Sequence, residues 1–122
     1  MAIQIRNSAA ANLFGADLEQ NTGELHLSSV FVTTTPYAAG AYTFIICDTG
    51  AVNLVVNLPQ VSANQGKVYV INKRDAGAGQ VVVTPFAGDT INGAGSRNIV
   101  NQYDAIIIIA QSPTRWYVIS TV

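Results

Sequence analysis

The only imidazole and the only thiol in this chain are His26 and Cys47. A base and a nucleophile within hydrogen-bond reach of each other could do covalent catalysis. Yet Cys47 ends the apolar run Phe44-Ile45-Ile46-Cys47, where a cysteine behaves as a small buried hydrophobe. His26 lies between Leu25 and Leu27 with Glu24 nearby, and it reads more simply as a surface or edge-strand imidazole. A zinc site takes three or four His, Cys or carboxylate ligands, and no paired spacing of such residues exists.

The carboxylates are Asp17, Glu19, Glu24, Asp48, Asp75, Asp89 and Asp104. Two of them facing each other across a cleft could cleave a glycosidic bond. Asp48, Asp75 and Asp89 stand instead in glycine-bearing turns, where Asp is favoured for hydrogen bonds to its local backbone. Gly77-Ala78-Gly79 lacks the Lys-Ser/Thr and the helical continuation of a phosphate-binding loop. The Ca²⁺-loop pattern is absent too. These residues predict a protein that is not an enzyme, with no catalytic set, no metal and no cofactor. Tyr37, Tyr42, Tyr69, Tyr103, Trp116 and Tyr117 could form a glycan-stacking face, although strand aromatics more often fill cores and cross-strand pairs.

Charge narrows the partners. Charged residues make up 11% of the chain, against roughly 25% in an average protein. The six cations, Arg6, Lys67, Lys73, Arg74, Arg97 and Arg115, are dispersed. Nucleic acid is bound largely by neutralising phosphates, so no nucleic-acid partner is expected. A membrane helix needs about 20 apolar residues, whereas the longest apolar run is Ala105–Ala110. The start, Met1-Ala2-Ile3-Gln4-Ile5-Arg6-Asn7, has no apolar core of a secretory signal. The reading is a protein folded in the cytoplasm where it is made, with no membrane partner.

The elements that must position these residues are strands. With 122 residues the chain has the length of one domain. From about residue 41 onward, short β-branched runs are separated by Gly, Asn, Asp and Pro: Tyr42–Cys47, Val52–Leu58, Val68–Asn72, Val81–Thr84, Arg97–Val100, Ala105–Ala110 and Trp116–Thr121. Length, composition and spacing predict an all-β fold, an antiparallel β-sandwich or barrel (jelly-roll-like) of about seven to eight short strands. The turns between them carry glycines suited to positive φ.

Residues 1–40 read as an N-terminal arm or extension, and 41–122 as the β domain. Glu24–Ser28 alternates like an edge strand, and Val32–Pro36 reads as an extended link. The first segment packs on the β domain or docks on a neighbour; its composition fits both. As a docking arm its anchors are Ile3, Ile5, Leu13 and Phe14, the large apolar residues of a segment poor in them.

Several runs are apolar on both faces, with Ile106-Ile107-Ile108-Ile109 the extreme case. Successive strand residues point to opposite sides, so two of these isoleucines must face away from the core. An open apolar face invites association; another subunit covers it most simply, and an arm or loop of the same chain could do so instead. Ile106, Ile107, Ile108, Ile109 and Trp116 are therefore the candidate subunit interface.

The second half also resembles β domains of bacteriophage tail fibres, tailspikes and head-decoration proteins. The resemblance rests on Val55-Val56-Asn57-Leu58-Pro59, Gly66–Asn72, Gly79–Pro85, Gly88-Asp89-Thr90-Ile91-Asn92-Gly93, the aliphatic Ile106–Ile109 and the closing Arg115-Trp116-Tyr117-Val118-Ile119. It implies a small β domain, commonly a homotrimer, without catalytic residues of its own. A short chain beginning with Met1 and lacking a stalk looks most like a head-decoration (cement) protein. Its partners would be itself and the major capsid protein, and its location the outer capsid surface of the virion. The alternative is a receptor- or glycan-binding fibre or tailspike tip, or another small tail component.

Overall fold

The computed structural model describes residues 26–122. Among them no α-helix occurs, and ten strands form two mixed sheets. The strands are β1 (Ser29–Val32), β2 (Tyr37–Ala38), β3 (Phe44–Cys47), β4 (Leu54–Asn57), β5 (Val68–Lys73), β6 (Val81–Thr84), β7 (Thr90–Ile91), β8 (Arg97–Ile99), β9 (Ala105–Gln111) and β10 (Arg115–Thr121). The large sheet has the order β1-β3-β5-β9-β10-β7, and the small one β2-β4-β6-β8. Neither closes into a barrel.

The path is a flattened coil. Each of the first six strands lies in the sheet opposite to its predecessor, so β1, β3 and β5 stack in parallel, as do β2, β4 and β6. The register runs Ser29↔Phe44↔Val70 in one sheet and Tyr37↔Val56↔Val83 in the other. The chain then reverses: β8 pairs antiparallel with β6, and β9 with both β5 and β10. The short β7 pairs parallel with the far edge of β10.

The all-β expectation holds, and all seven predicted runs contain strands. The antiparallel, jelly-roll-like arrangement does not hold, because five of the eight strand pairings are parallel. The physical reason lies in the sequence. Strands joined through the opposite sheet return in the same direction, and uninterrupted runs such as Val81-Val82-Val83 suit parallel pairing. The described strands number ten rather than seven or eight, because β1, β2 and β7 lie outside the recognised runs. Residues 29–38 pair within the two sheets. His26–Ser28 is not strand, although the Ser28 carbonyl already accepts the Thr43 and Phe44 amides at 3.1 and 2.9 Å.

The inward residues of both sheets join in one core. Val32, Ile45, Cys47, Tyr69, Ile71, Ile106, Ile108 and Trp116 come from the large sheet, and Leu54, Val56, Val81, Val83 and Ile99 from the small one. Trp116 and Tyr69 pack with ring centres 5.6 Å apart. Tyr69 donates its hydroxyl to the Gly40 carbonyl at 2.8 Å, which satisfies a phenol that the core would otherwise penalise.

Candidate functional site

Alternation along β5 puts Tyr69, Ile71 and Lys73 on the inner side. Lys73 is thus a fully buried lysine at the end of a core strand. Its ammonium donates to the carbonyls of Asp75 (2.8 Å) and Gly77 (2.9 Å) and to Asp75 Oδ1 at 3.1 Å. The Asp75 carboxylate in turn accepts the amides of Thr49 (3.0 Å), Gly50 (2.8 Å) and Gly77 (3.2 Å), and the Thr49 hydroxyl at 3.2 Å. Burial pushes the Asp75 carboxyl up, but these amides and the Lys73 ammonium outweigh it and hold it well below the ordinary carboxylate range. The node ties the loop after β3 to the loop after β5, about one turn of the coil apart.

Two glycines make this closeness possible. A Cβ on Gly77 would stand 2.2 Å from the Gly50 carbonyl oxygen, and one on Gly79 would stand 1.9 Å from that of Val52. Neither has positive φ, so here glycine is required by close backbone approach rather than, as the sequence suggested, by turn conformation. Gly50, by contrast, does adopt φ 65°.

The other carboxylates among the described residues are also committed to structure. Arg74 donates Nε to Asp48 Oδ1 at 2.9 Å and its terminal nitrogen to Asp48 Oδ2. Asp89 Oδ2 accepts the Val61 amide at 2.9 Å and so anchors the 3₁₀ turn Val61–Ala63. Asp104 accepts the Asn101 side-chain amide at 3.3 Å. The expectation of purely local turn bonds is therefore too narrow. Asp75 and Asp89 clamp backbone 25 to 28 residues away as well.

Cys47 and His26 do not come together. In the parallel pair β1/β3, Ser29 is opposite Phe44 and Val32 opposite Cys47. His26 precedes Ser29 and lies towards the other end of β3 from the thiol. Cys47 is fully buried, and burial, followed by the Asp48 and Asp75 carboxylates, pushes its thiol up to about 12. No group of three metal-ligating side chains occurs among the described residues. The aromatics form no common stacking face: Tyr69 and Trp116 are in the core, while Tyr42, Tyr103 and Tyr117 are exposed on separate segments. A cleft of about 260 Å³ lies between β8 and the start of β9, lined by Arg97, Asn98, Ile99, Asn101, Asp104 and Ile106 among others.

The candidate interface divides by strand alternation. Ile106, Ile108 and Trp116 are buried in the chain's own core, whereas Ile107 and Ile109 point outward. They join Phe44 and Ile46 of β3 and Val68 and Val70 of β5 on one outer face, with Phe31 of β1 62% exposed at its margin. Outward residues of the small sheet are more polar: Val55 and Val82 are accompanied by Asn57, Thr84 and Asn98. Ile3, Ile5, Leu13 and Phe14 lie outside the described residues, as do Asp17, Glu19 and Glu24. No helix among the described residues is long and apolar enough to cross a membrane.

Comparison with protein-family models and with curated protein sequences finds no match to this chain.

Proposed function

We propose that this protein is a non-enzymatic structural component of a bacteriophage particle: a capsid decoration protein that binds the outer capsid surface and braces the shell, in the homotrimeric form that the sequence resemblance implies. The observation that carries the reading is the outer face of β1, β3, β5 and β9 in the large sheet, apolar at its centre and without a charged side chain, an adhesive surface. The polar side chains nearest the core support it, because Lys73, Asp75 and Asp89 hold the protein's own loops. The two sheets, packed as a sandwich, present that face on a rigid support. The bacteriophage setting comes from the sequence resemblance. The major capsid protein is the partner, and the arm anchors Ile3, Ile5, Leu13 and Phe14 are the side chains offered to it.

A brace binds the assembled shell and not its separated subunits, so mass action makes it raise the shell's heat resistance as its free concentration rises. With few charges available, the effect should vary little with salt. The test compares particles with and without this protein for genome release on heating, at low and high ionic strength. A higher release temperature with the protein supports the proposal, and equal temperatures refute it. Loss of host adsorption without a change in release temperature would replace it with the receptor-binding alternative. Deleting residues 1–20 should abolish capsid binding while leaving a cooperative melt.

A further inference from the structure

The middle of the large sheet is apolar on both sides, with the polar outward residues Ser29, Asn72, Gln111 and Arg115 towards its ends. Inside it carries Ile45, Tyr69, Ile71, Ile106 and Ile108; outside it carries Phe44, Ile46, Val68, Val70, Ile107 and Ile109. Such a sheet has the composition of a middle layer. The register makes the outer residues contiguous: Phe44, Val70 and Ile107 form one cross-strand row, and Val68, Ile109 and Tyr117 another.

We propose that copies of this chain cover this face for one another, the large sheets of the homotrimer turning these faces towards each other. The inference rests on the reading of the face as an adhesive surface and adds its occupant. Charge is the first argument. The outward residues of β1, β3, β5 and β9 include no charged side chain. The nearest cations sit at opposite margins, Arg74 over the Phe31 ring at 5.0 Å and Arg115 over the Tyr117 ring at 5.7 Å. A partner with charge at the centre of its surface finds no complement there, whereas an identical face brings no charge to that centre.

Area is the second argument. Five strands at ~4.8 Å spacing, each at least four residues long at ~3.3 Å per residue, give a plan of roughly 300 Å² per face. Two such faces in contact cover about 600 Å² of plan, and the relief of their side chains brings the buried total towards the ~1,000 Å² that a biological interface should clear. Shape is the third. Rows of Ile, Val and Phe on a twisted sheet pack against another such sheet at ~10 Å, as the two inner faces of a β-sandwich do.

The test uses the full chain. Cys47 is the only native cysteine and is buried, so a spin label attached to Ile107→Cys reports the outer face alone. A label at Val82→Cys, on the outer side of the small sheet, is the reference. Light scattering should show an oligomer at micromolar concentration, with labels at position 107 within ~20 Å of each other, about one sheet separation plus the label arms. Labels at position 82 should be farther apart. The pair Val70→Lys with Ile107→Lys should weaken assembly by roughly 100-fold, because two ammonium groups would be buried unpaired. A cooperative melt of the resulting monomer would show that the fold survives. A wild-type monomer, including one whose face is shielded by residues 1–25, overturns the inference. So does an oligomer in which position 107 is no closer than position 82. Either result leaves the capsid proposal to its own heat-release assay, and failure of that assay leaves the association of copies intact.

Discussion

Replacing Asp75 with Asn should expose how much of the fold hangs on one carboxylate. The substitution keeps the shape but removes the charge that faces Lys73, whose side chain is fully buried while that of Asp75 is 23% exposed. It also turns an acceptor of three amides into a group that must aim an N–H₂ at one of them. Breaking a buried ion pair by removing one partner costs about 3–5 kcal/mol. For a domain of this size that is a fall in Tm of about 10–20 °C.

The pH dependence gives a sharper test. The folded carboxyl is held below its unfolded value of about 3.9. Its contribution is therefore complete above that value and is lost as pH falls through the window beneath it. If the folded group stays ionised to pH 2.5, the wild type gives up roughly 2 kcal/mol between pH 5 and pH 2.5 through this residue. The Asn variant has no such group to titrate. Denaturant melts at pH 7, 5, 4, 3 and 2.5 should show the gap between the two proteins narrowing by that amount towards the acid end. A gap that stays constant with pH, or a cost below about 1 kcal/mol at pH 7, would refute the account of the node.

Three further outcomes are expected. Gly79→Ala should strongly destabilise the protein, since its Cβ would collide with the Val52 carbonyl, while Gly95→Ala, which meets nothing within 4 Å, should leave Tm nearly unchanged; paired thermal melts decide this. Ile108→Ala should cost about 2–5 kcal/mol by opening a core cavity, and Ile107→Ala clearly less in the isolated monomer, as read from urea midpoints. The Cys47 thiol, buried and pushed up to about 12, should react with a thiol reagent at pH 8 only as fast as the protein opens, so that its rate rises with urea; rapid labelling of the native protein would contradict its placement.

Composition made the strands legible, and the physics of β-branched runs between turn residues explains why all seven runs survive. Direction was less legible, because it depends on which sheet the chain visits next. Val81-Val82-Val83 did hold a clue, since parallel strands tolerate apolar residues on both faces; attributing that pattern to cover by a subunit or an arm missed it. Alternation separated Ile107 and Ile109 from Ile106 and Ile108, but which pair faced the core required the register with β5. The node around Lys73 escaped notice because a lysine followed by Arg74 reads as surface. Its two-residue spacing from Tyr69 and Ile71 was the available signal. The partner loop at Thr49 and Gly50, 25 to 26 residues away from Asp75, had no sequence mark tying it to that spot.

The coiled path also has a consequence for the order of folding. Among the described residues, β9 and β10 are the only paired strands that are neighbours in sequence. Every other pairing must close a loop that spans an intervening strand or more, and such closures are slow because their entropy is lost before the contacts repay it. The first three turns of the coil therefore hold no local hairpin from which to start. The long hairpin that pairs with β5 is made only after the coil it closes. A chain built this way waits for that hairpin, and its apolar strands need protection until the hairpin arrives.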